Sequence, residues 1–399
     1  MIADLHRHKP RILMTTDAVG GVFSYCRALA TQLTRRGFEV GIATMGPAPS
    51  HEQREQLRAI SGTSVFESDY ALEWMDDPWA QVDAAGEWLL AIEREFAPDI
   101  VHLNGYCHAA LPWRVPKVVV AHSCVLSWWK AVLGEPAPER YGEYAARVQQ
   151  GLRAADCVVS PTQSFLSSLR GCYSFGSRAR VIWNGAESSA APTSERRACF
   201  IAAGRMWDRA KNLTLLERTA AELDWPVFVA GDVGPTPAQP STENSARQAK
   251  REALKFLGRL SQSQLADILS SAAVFVHPAR YEPFGLSVLE AALSGCALIL
   301  GDLPSLRELW ADAAIYVDPD DAAGFLQACR ALTRDPERRQ VLAARAQERA
   351  HAYSVERMGA AYQALYLGLL RARADRGRAA STSARLRTLE QSGANTVWD

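Results

Sequence analysis

The sequence has no surplus of charge: Lys and Arg together number 44, as do Asp and Glu, so no basic field draws the chain to nucleic acid. It has no CxxC pair among its eight cysteines, at positions 26, 107, 124, 157, 172, 199, 296 and 329. Most of these fall in apolar stretches, where a reduced thiol packs as a small hydrophobe, and neither a metal ribbon nor a disulfide framework is expected. No stretch reaches the roughly eighteen uninterrupted apolar residues that a membrane helix needs. The opening run Met1 to Pro10 lacks the apolar region of a secretory signal, and His6 and His8 stand in it without other ligands, as in a frayed terminus. The glycine spacing GxGxxG of a dinucleotide fold is missing as well. These absences lead us to expect a cytoplasmic, soluble protein.

What remains is globular. With 399 residues, 48% of them hydrophobic and 22% charged, the chain exceeds one ordinary core and two domains are expected. Short β-rich runs at Arg11 to Thr16, Phe38 to Thr44, Asp99 to Leu103, Lys117 to Ala121 and Asp156 to Ser160 alternate with helical patterns such as Val22 to Arg36 and Trp79 to Phe96. The rhythm pauses around Asn184-Gly185 and Ser188 to Ser194. It restarts with strands at Cys199 to Ala203, Pro226 to Ala230, Leu254 to Leu257, Ala273 to His277, Ala297 to Leu300 and Ile315 to Val317. The fold class is therefore α/β, with two Rossmann-like domains facing each other across a cleft. We expect the first to span residues 1–187 and the second 188–354, followed by a helix at 355–373 and a basic, weakly ordered tail at 374–399. Pro235 to Gln248 reads as a long surface loop.

Glu282 and Glu290 stand eight positions apart where a buried strand hands over to a helix, the place at which α/β sheets bind phosphates and sugars. Pro278 to Pro283 reads as the exit loop and Phe284 to Ser294 as the helix. Glu282 can accept from sugar hydroxyls and Glu290 from vicinal ribose hydroxyls, while the amides of Phe284, Gly285 and Leu286 meet sugar or phosphate oxygens. Arg205 and Lys211 emerge at the carboxyl edge of the same sheet, where two cations can hold a diphosphate. In the first domain, Gly20 and Gly21 open the first helix; they are either a tight turn or a place where a phosphate approaches backbone amides. His122 ends an apolar strand and is either a core histidine or a donor of a hydrogen bond to a sugar hydroxyl. Trp128-Trp129-Lys130 can line an acceptor pocket or pack the interdomain wall. Asp318-Pro319-Asp320 reads as a cap and turn rather than a metal site.

These residues resemble the retaining glycosyltransferases of family 4, which have the GT-B fold. The resemblance runs from Asp17-Ala18-Val19-Gly20-Gly21-Val22 through Val120-Ala121-His122-Ser123, Val181-Ile182-Trp183-Asn184-Gly185, Gly204-Arg205 and Lys211-Asn212 to the double-glutamate segment and Tyr316-Val317-Asp318-Pro319. It implies that Arg205 and Lys211 bind the donor diphosphate, Glu290 the ribose, and Glu282 with the Phe284 to Leu286 amides the transferred sugar. Gly21 would meet a phosphate oxygen across the cleft, His122 the donor sugar, and Gly258-Arg259-Leu260 the nucleobase, while the last helix would cross back to the first domain. The implied reaction moves a sugar from a nucleotide diphosphate donor to an acceptor hydroxyl with retained configuration, without an essential metal or other cofactor. Asn184-Gly185-Ala186-Glu187 departs from the Val-Asp ending usual in the family.

The donor base (UDP, GDP or ADP) stays open, as does the acceptor: a glycan, a lipid-linked acceptor or a small molecule. A nucleotide-sugar epimerase and a non-catalytic sugar-nucleotide-binding protein are the alternative readings. The arginines at 371, 373, 376, 378, 385 and 387 form either a solvated tail or a contact to the anionic inner face of a membrane.

Overall fold

The computed structural model describes residues 9–176, 178–187, 196–234 and 253–393; beyond residue 376 only residue 378 has a described side chain. His6, His8, the stretch 188–194 and the loop 235–248 lie outside the described residues. Among the described residues, thirteen strands form two parallel sheets. The first contains β1 (Arg11–Asp17), β2 (Glu39–Met45), β3 (Thr63–Glu67), β4 (Ile100–Leu103), β5 (Lys117–Val120), β6 (Cys157–Ser160) and β7 (Ala179–Val181), in the order β3-β2-β1-β4-β5-β6-β7. The second contains β8 (Arg197–Ala203), β9 (Val227–Ala230), β10 (Leu254–Gly258), β11 (Ala272–His277), β12 (Ala297–Gly301) and β13 (Ile315–Val317), in the order β10-β9-β8-β11-β12-β13.

Helices cover both faces of each sheet, so the central strands read as unbroken apolar runs: β4, β6, β11 and β12 are buried at every position. The two strands that the sequence pattern does not announce are the edges, β3 and β7. They are half-exposed and carry no apolar run. In each sheet the strand order reverses once, between β1 and β4 and between β8 and β11. Loops leaving neighbouring strands part at such a point and open a crevice at their carboxyl ends.

The chain passes between the sheets twice. Gly185 lies so close to the second crossing that a side chain there would meet the Ser354 backbone at 2.6 Å, and Ala186 bridges to Ser354. The helix Val355–Gly393 then returns to the first domain. Met358, Tyr362, Leu365, Tyr366 and Leu369 recur at helical spacing and are buried in its core against Ile12, Leu29 and Val40. The helix runs on through Gly393, well past the Arg373 at which it was expected to stop, so residues 374–393 are helical where a weakly ordered tail was expected, and 394–399 lie outside the described residues. The reason is composition: eleven of the twenty residues 374–393 are Ala, Arg, Leu or Glu, strong helix formers, and none is proline. All eight cysteines are free thiols, and among the described residues no helix is long and apolar enough to cross a membrane.

If the returning helix closes this core, Tyr362→Ala should cost about 3–5 kcal/mol of stability, the usual penalty for emptying a buried aromatic site. Denaturant unfolding measures it; a loss below about 1 kcal/mol would contradict the packing described.

Candidate active site

The two strand-order reversals face each other. β1 ends in Asp17 and turns through Gly20, whose φ of +86° is a conformation that glycine adopts without strain. A methyl group on Gly20 would sit 3.4 Å from Arg205 Cδ, and one on Gly21 would sit 3.4 Å from Leu286 Cδ1. The glycine turn of the first domain thus lies directly against the loop after β8 and the helix after β11. Asp17 accepts from the Val19 N–H at 2.7 Å. Burial pushes its carboxyl up to about 6, against the opposing pull of that N–H and of the Arg205 guanidinium.

Lys211 and Glu282 are brought together more tightly than the sequence suggests. Lys211 Nζ donates to Glu282 Oε2 at 2.5 Å, and His277 Nε2 meets the same oxygen at 2.9 Å. Burial works against a charged carboxylate here, but Lys211 and His277 outweigh it and hold Glu282 well below the usual carboxylate range. A carboxyl so depressed contributes stability above its ordinary titration range and loses it only at strongly acid pH, so the ion pair persists through any working pH. Oε1 has no partner among the described residues and remains able to accept. Arg280 braces both loops, bonding the Asn212 side chain and Asp320, with its backbone N–H on Ala210. In the sequence His277 stands as His122 does, at the end of an apolar strand. That shared position is the signal that singles it out.

Gly285 caps the helix Leu286–Leu293, and the N–H groups of Phe284, Gly285 and Leu286 bond nothing among the described residues. They form an anion-accepting helix start beside Glu282. One turn further in, Glu290 borders an interdomain cavity of about 200 Å³ with Arg27, Arg35, Gln262 and Leu286. Burial pushes its carboxyl up to about 7, opposed by Arg27. Leu260, two residues before Gln262, ends the loop after β10 and packs on the second-domain core.

His122 lies at the carboxyl end of β5, as expected, with its Nε2 bonded to Asn104 Oδ1 at 2.8 Å and its ring against Tyr25. Trp128 belongs to the interdomain wall, since its Nε1 donates to Asp208 Oδ1 at 3.0 Å. Further bonds join the domains around the cleft: Tyr281 Oη to Ser127 Oγ at 2.9 Å, Thr162 Oγ1 to the Pro283 carbonyl at 2.9 Å, and the Gln163 and Ser164 amides to Glu308 at 2.8 Å each. Asp318 accepts from the Asp320 amide and forms the expected turn, while Asp321 caps the next helix. Among the described residues no group of three or more His, Cys, Asp or Glu could hold a metal ion.

The family model described as Glycosyltransferase Family 4 matches residues 19–189, and that described as Glycosyl transferases group 1 matches residues 186–349. The chain belongs to the family 4 glycosyltransferases. Relatives within reach of this family assignment include a glycogen synthase of Mycobacterium tuberculosis, 24% identical over 85% of this chain and 90% of its own length. A D-inositol 3-phosphate glycosyltransferase of Kineococcus radiotolerans is 27% identical over 85% of this chain and 88% of its length. Among solved structures, a sucrose-phosphate synthase from Thermosynechococcus elongatus superposes with a TM-score of 0.74 at 20% identity, covering 92% of this chain and 100% of that one. The Anabaena protein HepE in complex with UDP-glucose gives 0.70 at 16% identity, covering 90% and 100%. The fold of this glycosyltransferase is GT-B.

If Glu290 holds a ribose, the carboxylate holds it best, because it accepts from both hydroxyls, and burial pushes that carboxyl up to about 7. Nucleotide affinity should therefore rise by up to about tenfold per pH unit as Glu290 ionises, and Glu290→Gln should flatten that dependence. Calorimetric titration at several pH values checks this; equal slopes for both proteins would contradict it.

Proposed function

We propose that this glycosyltransferase transfers a sugar from a nucleotide diphosphate sugar to an acceptor hydroxyl with retained anomeric configuration and without an essential metal ion. The observation that carries the reading is the convergence of Arg205, Lys211, Glu282 and the open helix start of Phe284 to Leu286 on the Gly20-Gly21 turn of the opposite domain. The diphosphate lies between Arg205, Lys211 and the glycine amides, the ribose on Glu290, and the base near Leu260. Glu282 offers Oε1 to the sugar while its other oxygen anchors Lys211.

In the chemical step the bond from the anomeric carbon to the phosphate oxygen breaks, and the acceptor oxygen bonds to the same carbon on the same face. The acceptor proton passes to the departing phosphate oxygen. Arg205, Lys211 and the three free N–H groups stabilise the charge that gathers on the leaving diphosphate, a task that a bound cation performs in other transferases. The donor of this chain is drawn from the class to which UDP-glucose belongs, as in the HepE complex. A groove of about 510 Å³ between Lys130, Pro136 and Tyr141 of the first domain offers room for an acceptor beside the cleft.

Lys211→Ala and Glu290→Ala should each lower turnover at least about a hundredfold in a protein that still folds; only the Lys211 variant should melt earlier, because it leaves the Glu282 carboxylate unpaired. The product should keep the donor's anomeric configuration by proton NMR, and EDTA should leave the rate unchanged. Near-normal turnover in both variants, an inverted product, or loss with EDTA that magnesium restores would each overturn a named part of the reading. Incubation of donor without acceptor separates transfer from epimerisation, which needs no second substrate.

A further inference from the structure

Two histidines at the first-domain edge share a single amide oxygen. Asn104 follows β4 at the strand-order reversal; its Nδ2 donates to the Thr15 carbonyl at 2.6 Å, and its backbone N–H to Thr15 Oγ1 at 3.0 Å. Its remaining polar atom, Oδ1, can only accept. Oδ1 receives His122 Nε2 at 2.8 Å and His102 Nε2 at 3.1 Å, so each of these ring nitrogens carries the proton, and the Tyr25 hydroxyl, 3.4 Å from His102 Nε2, faces that N–H as a second and longer acceptor. Turning the amide over would set its oxygen against the Thr15 carbonyl, oxygen on oxygen. The chain of bonds closes at the far end of the sequence: the Tyr366 hydroxyl, on the returning helix, lies 2.6 Å from His102 Nδ1 and donates to it. Both rings stay neutral, since burial pushes His122 down to about 3 with His102 adding to the effect, and pushes His102 down to about 3 against its bond to Asn104.

We infer that Asn104 is a positioning residue that fixes His122 as the neutral Nε2–H tautomer, leaving Nδ1, which has no hydrogen-bond partner among the described residues, as an acceptor. This reverses the expectation that His122 donates to the sugar. Resting on the sugar-transfer reading, it gives that site a selectivity: an acceptor nitrogen takes a free sugar hydroxyl and rejects the same position capped as an ether or oxidised to a ketone, neither of which can donate. The groups that face His122 are His102 from β4 and Tyr25 from the first helix, with Tyr362 and Tyr366 of the returning helix behind His102. Burial raises all three phenols above their ordinary value, so none of them supplies charge near neutrality.

In the full chain labelled with nitrogen-15 histidine, long-range proton–nitrogen spectra report which ring nitrogen is protonated. The expected wild-type result is His122 with a proton on Nε2 and a bare Nδ1 throughout the neutral range. Asn104→Asp sets a carboxylate against the ring; His122 should become imidazolium, Nδ1 should turn from acceptor to donor, and turnover should fall at least about tenfold, recovering as rising pH strips the extra proton. A wild-type Nδ1–H tautomer would overturn the assignment, as would a loss of turnover in Asn104→Asp that is the same at every pH with His122 still neutral. The wild-type spectrum needs no substrate and no variant. It decides the tautomer even if Asn104→Asp does not fold, and if the chain transfers no sugar, only the functional reading falls.

Discussion

Parallel strands turn all their carboxyl ends toward one edge of the sheet, and both sheets of this protein present that edge to the same gap. Everything proposed for the site depends on this constraint. Each sheet reverses its strand order at one place, and the side chains that matter leave from the strands flanking the reversals: Asp17 and Asn104 on one side, Arg205 and the His277 to Glu282 loop on the other. The Gly20-Gly21 turn allows the two edges to close until Arg205 and Leu286 lie within van der Waals reach of it. Tyr281, Trp128, Thr162 and Glu308 tie the domains together around this contact.

The two glutamates of one short segment end in opposite electrostatic states. Glu282 is tied to Lys211 and His277 and stays charged, whereas Glu290 lines the interdomain cavity with only Arg27 to offset its burial, and its carboxyl rises to about 7. A buried ion pair is poor evidence of stability, because desolvation offsets much of its attraction. Here its consequence is order: a lysine held on a carboxylate points in one direction before any phosphate arrives, and less reorganisation remains for the reaction. Environments that separate two like groups in this way assign them different tasks.

Much of this was legible in the sequence, for physical reasons that also mark its limits. Central strands bury both faces, so β1, β5 and β11 show as apolar runs, and the residues just beyond them, including His122 and the Glu282 loop, can be placed at the cleft. Edge strands bury little, and β3 and β7 leave no such trace. Pairing across long separations is not written in any local pattern. Nothing in the sequence says that Lys211 will bond Glu282, that Trp128 will reach Asp208, or that Tyr366 will bond His102, because each contact joins segments that only the folded sheets bring together. The helix beyond Arg373 was missed for a different reason: its arginines suggested a solvated tail, although the same residues are good helix formers.

The most direct test of the central claim is a crystal structure of the protein with an intact nucleotide diphosphate sugar. The account predicts density for the diphosphate between Arg205, Lys211 and the amides at Gly20-Gly21, with the ribose on Glu290 and the sugar beside Glu282. A donor bound elsewhere, or bound to the second domain with its phosphates turned away from both basic side chains, would contradict it.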